Sequence, residues 1–265
     1  MRSSLAFRVF VYSAAVFAGV VILAPFVWLL ISSVAAPADL LVRPLKWIPA
    51  HASLSRYAEI FFGTGNDTAI TFRAAMVNST IVAGSSVLIS LGVGIFGAYA
   101  FARLRFRFQR AILLLFLSTY MLPPIALLIS LYLTMVQLRL LDTRIGLILV
   151  YCSFITPFVL WIMSGYFRSI PRDLEDAARI DGCSRMGALF RVILPLARPG
   201  LLATALFGFL LAWDEFLYAL IFTSSLESKT IPVAIIPKST AFRPVNSAMA
   251  TGMVFEPRED VNIRA

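Results

Sequence analysis

Asp214 and Glu215 lie about 13 residues into an apolar run, roughly 20 Å along a helix from its start. Charge within a membrane span is costly and marks a functional site by default. Two other readings stand beside it: the acids lie near the outer interface, or they cap a helix–helix contact. The second concentration of titratable groups is the polar stretch 167–198, which holds Asp173, Glu175, Asp176 and Asp181 among six arginines. The remaining reactive residue types exclude most catalysis. His51 is the only histidine, which removes His-based triads and multi-His metal sites. Cys152 falls in an apolar segment and Cys183 in a charged loop, so a disulfide is not expected, and no metal-ligand spacing exists. Ser228-Lys229-Thr230 lacks the glycine that a phosphate-cradling loop places before its lysine. The chain is therefore not expected to hydrolyse nucleotide by itself, and no catalytic residue, metal or cofactor is assigned.

The elements that position these groups are read from composition. Of 265 residues, 60% are hydrophobic and 14% charged. A soluble domain carries about 25% charged residues. No soluble fold hides so much apolar surface, so the expected fold is all-α, a polytopic membrane bundle. Runs Val9–Val34, Ala74–Ala102, Ala111–Val136, Ile145–Phe167 and Leu201–Phe222 read as five full spans. The first run is too long for a signal-peptide core and is read as retained. Pro123-Pro124 and Pro157 kink the third and fourth. Ser86, Ser90, Gly94, Ala98 and Ala102 form a ridge of small residues that lets another helix approach closely. Leu54–Phe62 reads as a short interfacial helix within the loop 35–73.

A sixth run, Ser247–Phe255, is nine residues long and then meets charge and Pro257. It would make only about 13 Å of helix, too short to cross a bilayer core of about 30 Å. The expectation is a truncated sixth span. The domain reading is accordingly 1–72 for the first transmembrane helix and extracytoplasmic loop, 73–255 for the transmembrane domain, and 256–265 for an atypical charged tail.

The net charge of +9 comes from 20 Arg and three Lys against 14 acids. Twelve of the 23 basic residues fall in the N-terminus, 103–110 and 167–198. That density puts the N-terminus and these loops in the cytoplasm. The excess marks orientation rather than a nucleic-acid partner.

Within 167–198, Pro171 can start a helix whose first turn carries Asp173, Glu175 and Asp176, the sign that the macrodipole favours. Leu174, Ala177, Ala178 and Asp181 share a face, and Gly182 stands where a left-handed C-cap would end the helix. A second helix, about Ser184–Ile193, is expected to stop before Pro195. The result is a compact knob suited to a partner's groove; a solvated amphipathic loop is the plainer alternative.

The spacing carries a resemblance. Asp176-Ala177-Ala178, three residues, Gly182, nine residues and Val192-Ile193-Leu194-Pro195 resembles the EAA loop of ABC importer permeases, with Asp176 for Glu and Val192 for Ile. Asn78-Ser79, Ala98–Arg103, Leu141-Asp142-Thr143, Ile170-Pro171, Trp213-Asp214-Glu215-Phe216 and Thr230-Ile231-Pro232 are similar to the carbohydrate branch, in particular the maltose-transporter G-type permease. The resemblance covers roughly residues 10–250. It implies the type I permease fold and a multi-pass protein of the bacterial inner membrane. It also implies a non-catalytic subunit that forms a pathway for a sugar or sugar derivative together with a second permease, as a heterodimer. The implied partners are two ATP-binding subunits and an extracytoplasmic solute-binding protein. ATPase coupling falls to Glu175, Asp176, Ala177, Ala178, Asp181, Gly182, Leu194 and Pro195. A substrate path would use Asp214 and Glu215 as acceptors, with Trp213 and Phe216 as stacking surfaces. Within the family, however, the Trp-x-Glu-Phe stretch recurs across substrates. The competing expectations are a secondary transporter or channel, or a truncated permease that transports nothing.

Overall fold

The computed structural model describes residues 5–36, 39–40, 51–65, 67–225 and 227–236. The expected sixth run, Ser247–Phe255, and the tail 256–265 lie outside the described residues. Among those described, the regular structure is helical apart from one isolated bridge between Ala35 and Ala52. The chain divides into two compact units, Met1–Ile70 and Thr71–Ala265.

In the first unit, α1 (Leu5–Val34) is an apolar helix whose hydrophobic side chains are largely exposed. Such a surface suits lipid or another spanning helix. Ser53 N donates to Val34 O at 2.9 Å and returns the chain beside the end of α1. The short helix expected over Leu54–Phe62 follows as α2 (Ser55–Phe62).

The second unit contains most of α3 (Asp67–Arg103), then α4 (Gln109–Ser118), α5 (Pro124–Gln137) and α6 (Arg144–Ser169). The centre of its core is α6: Leu147, Tyr151, Ile155, Val159, Met163 and Phe167 are essentially solvent-free. The small-residue ridge of α3 is what lets α6 sit so close. A Cβ on Gly94 would lie 2.5 Å from Val159 Cγ1, and one on Gly97 would lie 2.4 Å from Leu160 Cδ2. Hydroxyls extend the same seam, Ser86 Oγ to Ile148 O at 3.4 Å and Thr156 Oγ1 to Ser90 Oγ at 3.2 Å. On the opposite flank, Gly200 faces the Tyr166 ring, and Thr204 Oγ1, which donates to Gly200 O at 2.7 Å, lies 3.5 Å from Met163 Sδ.

Three predicted elements differ in the structure. The third run is not one kinked helix. α4 and α5 are bent by 97° around the turn at Thr119–Met121 and Pro123. Leu122 precedes a proline and is extended, and Pro124 opens α5 at a position where no N–H is needed. The fifth run breaks into α10 (Arg198–Trp213) and α11 (Leu217–Phe222). The helix after Ser184 does not stop before Pro195. It runs as α8 (Arg185–Ala188), a π-turn over Leu189–Ile193, and α9 (Leu194–Leu196). Pro195 has no N–H to offer, and widening the ladder before it, with Leu194 N donating to Leu189 O, carries the helix through. A last short helix, α12 (Ile231–Ala234), follows the 223–230 loop. Among the described residues, three helices are long and apolar enough to cross a membrane, or up to five if each bent pair is one span.

Candidate functional site

The 167–198 stretch folds as the expected knob. α7 (Arg172–Ile180) carries Asp173 and Glu175 in its first turn, and Pro171 holds the cap position. At its other end Gly182 has φ +90°, Cys183 N donates to Ala178 O at 2.9 Å, and Gly182 N donates to Arg179 O at 3.1 Å. This is the paired 6→1 and 5→2 pattern that ends a helix on a left-handed glycine. Ser184 then caps α8 by accepting from Gly187 N at 3.0 Å. Asp176, Ala177, Asp181 and Gly182 are exposed on the knob. Around them stand the apolar side chains of Leu174, Ile180, Met186 and Phe190, of which Ile180 is 85% exposed. Asp176 pairs with Arg179 at 4.0 Å in the open, a contact worth little by itself.

The other predicted coupling residues face inward. Ala178 is buried, while Leu194 and Pro195 are half-buried, with Leu194 packed against the core. Glu175 is also buried. Its Oε2 lies 3.1 Å from Arg103 Nε, and its Oε1 accepts from Tyr99 Oη at 2.5 Å. Arg103 in turn donates to Ile170 O at 3.0 Å. Glu175 thus fastens the knob to the end of α3 rather than facing outward. Tyr99 and Arg103 had no assigned role in the sequence reading. The available signal was an acid on the same helical face as Ala178, which demands a cation when buried.

Along the chain, α10 separates Pro195 from the second candidate group by about 24 Å of helix. Trp213 stacks on Phe209 with centroids 5.3 Å apart. The helix then stops, and Glu215 caps its restart: Tyr218 N donates to Oε1 at 2.9 Å and Ala219 N to Oε2 at 3.1 Å. Tyr151 Oη donates to the same Oε2 at 2.9 Å. Glu215 therefore satisfies orphaned amides at a broken helix, the helix-contact reading of this acid. Asp214 and Phe216 are exposed at the break. Broken helix at membrane depth is tolerated where it lines a cavity or is buried in protein.

At the opposite end of α6 from the knob, Asp142 organises a third cluster. Its carboxylate accepts from Ser224 N at 2.7 Å, from Ser225 N at 2.9 Å and from the Ser228 hydroxyl. Asn78 Nδ2 donates to Lys229 O at 2.9 Å, and Ile231 N to Ser79 Oγ at 2.8 Å, so the same loop is also tied to α3. Burial pushes the Asp142 carboxyl up, but the hydrogen bonds from Ser228, Ser224 and Ser225 outweigh it and hold the group below its ordinary value. A depressed folded value means the tether is complete above the ordinary carboxyl value of about 3.9 and is lost as pH falls through the folded one. Hydrogen-exchange protection of the Ser224 and Ser225 amides, corrected for intrinsic rates, should hold from pH 7 to about 4 and then drop. In Asp142→Asn it should be roughly tenfold lower at neutral pH, with no such acid transition. Among the described residues, no group of three His, Cys, Asp or Glu side chains is arranged to hold a metal.

A knob joined to a bundle of apolar helices has a counterpart among known proteins. Residues 90–255 match the family described as binding-protein-dependent transport system inner membrane component. The chain belongs to that family. The sulfoquinovosyl glycerol transport system permease protein SmoH of Agrobacterium fabrum is 38% identical over 211 residues, 80% of this chain and 72% of that protein. The trehalose/maltose transport system permease protein MalG of Thermococcus litoralis is 33% identical, over 89% of this chain and 82% of that protein. The diacetylchitobiose uptake system permease protein DasC of Streptomyces coelicolor is 31% identical, over 91% and 86%. In structure, the chain is similar to a component of a bacterial ABC transporter involved in the import of the acidic polysaccharide alginate. That match has TM-score 0.73 at 24% identity, covering 95% of this chain and 88% of the other, and it supports the fold. The chain is thus a carbohydrate-type ABC importer permease, a multi-pass inner-membrane protein whose relatives are transport subunits rather than enzymes.

Proposed function

We propose that this permease forms, with a second permease chain, the pathway for a sugar or sugar derivative, and that it couples to a separate ATPase through the 167–198 knob. The layout is a first helix and outer loop over 1–72, a transmembrane domain over 73–255, and the N-terminus in the cytoplasm. The observation that carries the reading is the knob itself. It is a short helix closed by Gly182 at φ +90°, with Ala177, Leu174 and Ile180 exposed and Glu175 fixed to α3. Its outer face sets exposed apolar side chains around Asp176, Ala177 and Asp181, a surface of the kind that seats in a groove. Its inner face is joined to a long spanning helix, so displacing the knob moves the bundle as a rigid body. Two ATP-binding subunits would drive that displacement, and an extracytoplasmic solute-binding protein would deliver the solute at the far end.

Within the pathway, Asp214 is the better candidate for the solute. Glu215 is occupied by Tyr151 and two amides, whereas the Asp214 carboxylate is exposed at the helix break beside Phe216. Reconstitution with a second permease chain and an ATP-binding subunit should give ATP-dependent uptake of a labelled oligosaccharide or sugar derivative. Uptake driven by an ion gradient without ATP would reject the reading in favour of a secondary transporter. Asp214→Asn should weaken solute affinity about tenfold, the loss of one charged hydrogen bond. Unchanged affinity and rate would leave Asp214 a structural residue.

A further inference from the structure

The segment Arg103-Leu104-Arg105-Phe106-Arg107-Phe108-Gln109-Arg110 alternates basic and apolar side chains between the end of α3 and the start of α4. A cleft of about 360 Å³ opens beside it, lined by the arginines Arg103, Arg105, Arg110, Arg168 and Arg172 and by no carboxylate. The neighbouring cleft of the knob shares Arg103, Leu104, Arg105 and Arg172 with it, but only that cleft is lined by the carboxylates Glu175 and Asp176, and only this one by Arg110 and Arg168.

Part of this charge is spent within the fold. Arg168 donates to Phe101 O at 3.1 Å and Arg172 to Ala102 O at 3.3 Å, which satisfies carbonyls at the end of α3. Arg103 is taken by Glu175. Arg105 and Arg110 are exposed and have no ion-pair partner among the described residues. Phe106 is 39% and Phe108 64% exposed, and Phe108 stands at φ 63°, in the turn that redirects the chain into α4. α4 itself is apolar and has no buried residue. A fixed basic cleft thus adjoins exposed aromatic rings and an apolar helix without a protein cover.

We infer that this cleft binds the headgroup phosphate of an anionic phospholipid, with Arg105 and Arg110 closing on it and the acyl chains lying along α4. The chemistry it requires is a phosphate ester. The apolar surface beside it favours a lipid over a soluble anion, because only a lipid gains from both.

Native mass spectrometry of the full chain with its partner subunits tests this directly, with phosphatidylglycerol set against phosphatidylcholine. The wild type should retain phosphatidylglycerol preferentially. Arg105→Gln/Arg110→Gln should lower that retention roughly thirtyfold, the scale for two basic residues at an anionic surface. Arg139→Gln, at a turn remote from the cleft, should leave it unchanged. Equal retention by wild type and double variant would overturn the site, as would an equal loss in Arg139→Gln. Displacement of the lipid by millimolar inorganic phosphate would assign the cleft to a soluble anion and overturn the lipid. None of these readouts depends on transport, so they stand or fall apart from the uptake experiment.

Discussion

Gly182→Pro should reduce ATP-driven uptake at least about tenfold while the protein still inserts into the membrane. Gly182 stands at φ +90°, and proline is locked near −65°. Proline also removes the N–H that Gly182 donates to Arg179 O at 3.1 Å. The knob would then lose the turn that sets α8 against α7. Crowding plays no part, because a Cβ at this position would meet nothing within 4 Å. For residues that keep the N–H, the effect of a substitution therefore tracks backbone preference. Alanine, which pays about 1–2 kcal/mol in the left-handed region, should be intermediate. Asparagine, which visits that region more readily, should keep most activity. Ala177→Asp offers a second approach without backbone strain, since it places a charge on the exposed face and should uncouple ATP hydrolysis from uptake. Uptake at the wild-type rate in Gly182→Pro or Ala177→Asp would remove the coupling role from the knob. A proline variant degraded before insertion would make Ala177→Asp the deciding measurement.

The extent to which the sequence foretold this site depended on the type of signal. Gly182 was legible because a left-handed cap needs one residue type at one place, after a run of helix formers. The ridge from Ser86 to Ala102 was legible as a packing face, but spacing alone did not name α6 as its partner. That pairing depends on Val159 and Leu160 meeting Gly94 and Gly97 in three dimensions. Apolar runs located the long helices and hid their breaks. Nothing in the hydropathy of Leu201–Phe222 says that amides of Tyr218 and Ala219 turn to the Glu215 carboxylate instead of to α10. Proline 195 misled in the other direction. It predicted a stop, and a π-turn carried the helix through it. Pairings across long stretches of chain were the least visible, and the one that fixes the knob joins Arg103 to Glu175, 72 positions apart in sequence.

That pairing leads to the second large effect. The Arg103 side chain is 4% exposed and that of Glu175 11%, so each charge depends on the other for its solvation. Arg103→Met should destabilise the protein by about 3–5 kcal/mol, the scale for leaving one member of a buried ion pair unpaired. Tyr99 would still donate to Glu175, but one neutral hydroxyl does not replace a guanidinium. Replacing both members by methionine should recover most of that loss, because two well-packed apolar side chains remove the desolvation cost together. Thermal unfolding in detergent, read as a double-mutant cycle, measures the coupling. A double variant destabilised by the sum of the two single losses would show that the two charges do not depend on each other. Transport should part company with stability in the double variant. The pair is one polar link between the knob and α3, beside Tyr99 to Glu175 and Arg172 to Ala102 O, with Phe96 against Phe190 at 6.0 Å as an apolar one. A doubly substituted protein that is stable yet transports slowly would locate the transmission of motion in that link. One that transports normally would leave the pair a stabilising contact and assign transmission to the packed helices.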